Sequence, residues 1–201
     1  MGLGFSTESK SSGDIIPIVK WDAKAGDMIR VDREQDASGA WIKNEEEVSF
    51  PCKFVADLDA IEVGWLSFDS GAPDFRMVRI GEEMPERPSA GHKNAFRLRI
   101  YNREMGLREF SHSAKTVLRK MDELHNKFEA ERGANAGKAP VVEIEGAELV
   151  RIDNTVHGDL RFKVPNWKIV AWVDRPDEMA GAPAPAVDVP VDIPASEDDL
   201  F

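Results

Sequence analysis

Hydrophobic positions along this chain recur mostly with a period of two, and only once, over residues 112–131, with a helical period. Residues 15–21 and 27–31 are short β-prone stretches separated by the turn signal Ala23-Lys24-Ala25-Gly26. Residues 48–68 are dense in Val, Ile, Phe and Trp. The polar insert Asp57-Leu58-Asp59 splits them into two runs of strand length, which predicts a hairpin. Residues 75–80 form a third run, closed by the Pro-rich stretch 84–88. Strict alternation follows: Phe96, Leu98 and Ile100 against Arg97, Arg99 and Tyr101. That pattern predicts a strand with one apolar face and one cationic, aromatic face.

The single helical stripe is Ala114, Val117, Leu118, Met121, Leu124, His125 and Phe128. It predicts one long α-helix over about residues 112–131, with Ser111 and Ser113 as capping candidates and Gly133 as the stop. Two further strands are expected over 141–152 and 160–173, the second interrupted by Pro165. Several strands, one helix and two strands is the element order of an OB-fold. The expected fold is therefore mainly β: an OB-fold-like five-stranded Greek-key barrel with extra N-terminal strands and one long helix. Residues 1–14 read as a flexible leader, 15–176 as the domain, and 177–201, rich in Pro, Ala, Val and Asp, as a disordered acidic tail.

Charge sharpens this division. The formal net charge of -11 argues against nucleic acid when taken as a whole. Residues 174–201, however, hold eight acids against Arg175 alone, leaving -4 for the remainder. Residues 87–120 carry nine bases against Glu104 and Glu109. A basic zone and an acidic tail share one chain. The lone Cys52 excludes an internal disulfide and a thiolate zinc site. Neither a signal-peptide core nor a membrane-spanning apolar run is present in the sequence, so a soluble protein of the cytoplasm is expected.

Single strands are bound without sequence preference by cations that track phosphates and rings on which bases stack. Arg97, Arg99, Tyr101 and Arg103 offer both on one strand face, and Lys93, Arg108, Arg161 and Lys163 extend the candidate path. Trp41, Trp65, Phe75 and Trp167 are candidate stacking rings, whereas alternation turns Phe96 and Phe162 inward. His92, His112, His125 and His157 lack zinc spacing, and neither a P-loop nor a Gly-x-Gly-x-x-Gly loop occurs. No catalytic residue, metal or cofactor is expected. The end of the tail, Glu197, Asp198, Asp199, Leu200 and Phe201, presents acids, a ring and a carboxylate to partners.

Several stretches resemble the single-stranded DNA-binding proteins of bacteriophages. They are residues 20–26 (KWDAKAG), 30–33 (RVDR), 59–65 (DAIEVGW), 72–75 (APDF), 108–111 (REFS), 122–125 (DELH) and 169–176 (IVAWVDRP). An acidic tail ending in an aromatic residue is shared by that family and by bacterial single-stranded DNA-binding proteins. The bacterial tail packs its acids before a Pro-Phe end, whereas here Leu200 precedes Phe201 and the acids are spread. The resemblance implies an OB-fold, no catalysis, and DNA replication and recombination in the cytoplasm of an infected bacterium. It also implies polymerase and primase-helicase as tail partners, with a homo-oligomer as one arrangement. The competing expectation is an acidic protein-interaction module or DNA mimic that binds no DNA itself.

Overall fold

The computed structural model describes residues 16–152 and 160–180. The leader 1–14 and most of the acidic tail, including Glu197, Asp198, Asp199, Leu200 and Phe201, lie outside the described residues. Ten strands and one long helix follow in order: β1 (Ile18–Asp22), β2 (Asp27–Gln35), β3 (Trp41–Val48), β4 (Cys52–Ala56), β5 (Glu62–Ser67), β6 (Asp74–Arg79), β7 (Lys93–Asn102), β8 (Gly106–His112), α1 (Lys115–Arg132), β9 (Lys138–Ile152) and β10 (Leu160–Asp174). The sheet runs β10-β9-β4-β7-β8-β1-β2-β3, with β5 also paired to β7 and β6 to β5. Among the described residues only β1 and β8 pair in parallel.

The mainly β expectation holds, and α1 falls within a few residues of its predicted place. Residues 48–68 are not a hairpin. Val55 and Ala56 pair with Tyr101 and Ile100, and Glu62 to Leu66 pair with Arg97 to Lys93. β4 and β5 thus lie end to end along one edge of β7, joined by a 3-10 turn at Leu58–Ala60. The true hairpin partner of β5 is β6.

Two strands escaped the pattern for physical reasons. β3 is almost wholly exposed and held by pairing to β2, so neither of its faces needs an apolar alternation. β8 buries Arg108, Phe110 and His112, and two polar residues at inward positions hide the period. β10 passes through Pro165 without a break, because it is an edge strand whose missing N–H faces away from β9, and a bulge follows between Asn166 and Trp167. Neither Ser111 nor Ser113 caps α1. Ala114 occupies the cap position without a side-chain bond, and its own N–H donates to His112 Nδ1 at 3.0 Å. Gly133 does end the helix, leading into a 3-10 turn.

The core gathers Trp21, Phe54, Leu98, Ile100, Phe110, Phe128, Val142 and Ile144 between the sheet and α1. Sheet curvature brings the β1–β2 turn onto β10: Lys163 N–H donates to the Ala23 carbonyl at 2.8 Å, and Trp21 Nε1 donates to the Lys163 carbonyl at 2.8 Å. Gly26 suits this turn because its backbone is left-handed, at φ +81, and a Cβ would also stand 2.8 Å from Ala147 Cβ. The arrangement is compatible with an OB-fold. Among the described residues no helix is long and apolar enough to cross a membrane.

Gly64 marks the tightest approach in the β5–β6 hairpin. A Cβ there would lie 2.0 Å from the Arg76 carbonyl oxygen, which belongs to the backbone and cannot rotate aside. Gly64→Ala is expected to cost about 2 kcal/mol or more by forcing β6 off β5. A lowered urea midpoint checks this; an unchanged midpoint counts against the close packing.

Candidate nucleic-acid interface

β7 sorts its side chains as the alternation predicts: Phe96, Leu98 and Ile100 are buried, and Arg97, Arg99 and Tyr101 line the opposite face, half-buried. Neighbouring strands supply acids to this row. Arg97 Nε lies 2.5 Å from Glu62 Oε2 and 3.9 Å from Glu109 Oε2, and its guanidinium sits 5.4 Å from the Phe75 ring centroid. Burial pushes the Glu109 carboxyl above its ordinary value, with Glu62 adding to the rise and Arg97 opposing it.

Arg99 Nη2 donates to Asp57 Oδ2 at 2.8 Å, and Arg175 Nη2 donates to the same oxygen at 2.7 Å. Asp57 is buried, with its side chain 3 % exposed. The chain beyond β10 then folds back over the row. Residues Asp177–Met179 form a 3-10 turn, Met179 is fully buried, and Tyr101 Oη donates to Glu178 Oε1 at 2.9 Å. That bond, chiefly, raises the Tyr101 phenol above its usual value. Structure therefore continues past residue 176, and the first acids of the expected tail are part of the domain surface.

The other predicted residues are scattered over the fold. Arg108 leaves the surface path altogether: it is 6 % exposed, its Nη1 reaches Asp32 Oδ1 at 2.5 Å, and its Nε donates to the Met105 carbonyl at 2.7 Å. It fastens β8 to β2, which corrects its assignment to the DNA path. Trp167 packs edge-on against Phe110 at 6.2 Å, its Nε1 donating to the Lys120 carbonyl at 3.0 Å, so it belongs with the core. Phe162 is buried too, as expected.

Trp65 and Phe75 are half-buried on the β5–β6 hairpin. Trp65 Nε1 donates to the Pro85 carbonyl at 2.8 Å, with the Arg87 guanidinium 5.6 Å from its ring centroid. Lys93 opens β7 at the same end and has a partner of its own. Trp41, 62 % exposed, stands far along the β2–β3 arm opposite Gln35. Arg103 is exposed in the β7–β8 turn. Arg161 and Lys163 are exposed on β10, with Lys163 Nζ donating to the Ala25 carbonyl at 2.7 Å.

Sequence reasoning missed Arg151, which the register sets directly opposite Arg161. No local signal announces it, since its importance comes only from strand pairing. Among the described residues no group of three or more His, Cys, Asp or Glu side chains is arranged to hold a metal ion. No family model matches the chain, and no curated protein or solved structure matches it either.

Proposed function

We propose that this protein binds single-stranded DNA without sequence preference, in the replication and recombination of a bacteriophage genome. The observation that carries the reading is the β7 row: Arg97, Arg99 and Tyr101 on one strand face, Arg103 at its end, and Phe75 beneath Arg97. Cations in line with rings fit a phosphate backbone with unstacked bases. The sheet is then read as an OB-fold-like barrel with extra strands. DNA phosphates replace Glu62, Asp57 and Glu178 at the guanidiniums and the phenol, and the remaining acidic tail with Leu200 and Phe201 contacts polymerase or primase-helicase. The protein acts in the cytoplasm of the infected bacterium, catalyses nothing, and is compatible with self-association.

A labelled oligonucleotide of unstructured sequence, titrated in parallel with duplex, tests the reading. With about five phosphates neutralised, log affinity falls with log salt at a slope near -3.5, at about 0.7 per phosphate on a single strand. Binding that ignores salt, or prefers duplex, sinks it. A chain ending at Pro176 loses Glu178 from the row and is expected to bind DNA more tightly than the full chain. Equal or weaker binding by that truncation argues against competition between the segment and DNA.

The acidic protein-interaction module is the second reading, favoured by the carboxylates already seated on Arg97 and Arg99. It predicts that the chain ending at Pro176 binds no DNA at all.

A further inference from the structure

Two arginines face each other across the β9–β10 hairpin. Arg151 and Arg161 are a direct cross-strand pair, both exposed. Like charges directly opposite one another destabilise a ladder. In the β7 row and beneath it, Arg97, Arg99 and Arg108 are each met by a carboxylate. The Arg151 and Arg161 side chains make no hydrogen bond or ion pair with any described residue. Among the described residues nothing compensates this repulsion, which one substitution to Glu would relieve and an external anion relieves equally well.

Surrounding residues give this end of the hairpin a definite chemistry. On the same alternation, Leu149 is 50 % exposed and stands opposite Lys163. The opposite alternation, Val150 with Phe162 and then Val164, faces the core, so the cationic face is held on a packed element. The β1–β2 turn bearing Lys24 packs against it, with Gly26 in contact range of Lys163 and Ala147. Two guanidiniums, a lysine and an exposed leucine therefore share one strand face.

We propose that this face is a second, separate contact for the single strand, resting on the DNA-binding reading above. Arg151 and Arg161 clamp the phosphodiester backbone through paired N–H donors, and Leu149 packs beneath an unpaired base or sugar. Lys163, its stem fixed by the β1–β2 turn, extends the clamp along the strand. Duplex offers no such unstacked base to Leu149, so the contact is selective for single strands.

The test uses the full chain and a fluorescein-labelled oligothymidylate, followed by anisotropy across a salt series. Arg151→Ala/Arg161→Ala together are expected to make the log-log salt slope shallower by about 1.4, from two lost phosphate contacts. Arg151→Lys/Arg161→Lys retains the wild-type slope, and the melting temperature of the double alanine variant equals or exceeds that of wild type because the repulsion is gone. Wild-type binding with an unchanged slope in the alanine variant overturns the clamp while leaving the β7 reading intact. A wild-type chain that leaves the oligonucleotide unbound overturns both. Intact DNA binding with loss of affinity for a peptide of residues 184–201 overturns it in favour of an acidic chain as the occupant.

Discussion

Asp57→Ala is expected to lower the unfolding free energy by about 3 kcal/mol while strengthening DNA binding. The two effects have one origin. Asp57 is 3 % exposed and accepts from both Arg99 and Arg175, and Arg99 itself is 10 % exposed. Removing the carboxylate deprives a buried guanidinium of the charge partner 2.8 Å from it, the costly half of breaking such a pair. It also detaches Arg175 and with it the chain that crosses Tyr101. Two cations become available to phosphate, so the salt slope steepens by up to about 1.4. Loss of stability with no change in DNA affinity would mean that Arg99 serves the fold alone.

The same carboxyl gives a pH signature. Burial, opposed by Arg175 and Arg99, holds the Asp57 carboxyl above its ordinary value. A carboxyl raised on folding binds its proton more tightly in the folded state. Its contribution is therefore present below the unfolded pKa and fades as pH rises through the folded one. Wild type should lose a small increment of stability just above the ordinary carboxylate range, and Asp57→Ala should lose that increment from its profile. This agrees with the mutational cost, since a buried ion pair adds little net stability while breaking it is expensive.

Phe128→Ala has the largest expected effect on stability, about 4 kcal/mol. The ring is fully buried, stacks on Trp172 at 5.7 Å and tilts against His125 at 5.6 Å, with the Arg132 guanidinium 5.3 Å from its centroid. It joins the last turns of α1 to β10, so the cavity left by its removal loosens the helix from the sheet. Phe128 faces the core, opposite the β7 row, and oligonucleotide binding well below the melting temperature should stay unchanged. Urea unfolding with a lower midpoint and the same slope checks the first part. A parallel loss of DNA affinity would count against the separation of core and interface.

The sequence by itself determined which residues alternate, where the one helix lies, and that bases and acids occupy different stretches. Phe96, Leu98 and Ile100 went inward and Arg97, Arg99 and Tyr101 outward because period two leaves a half-buried strand only one way to satisfy both solvents. Tertiary structure alone decided what those outward residues touch. Arg108 alternates like its neighbours but is buried on Asp32, 76 positions away. Glu62 and Asp57 neutralise guanidiniums of β7 because β4 and β5 share its edge, where the sequence read a local hairpin. Arg151 faces Arg161 only through the β9–β10 register. Periodicity records the side of the chain that meets water; charge pairing depends on contacts between distant segments, which no local pattern encodes.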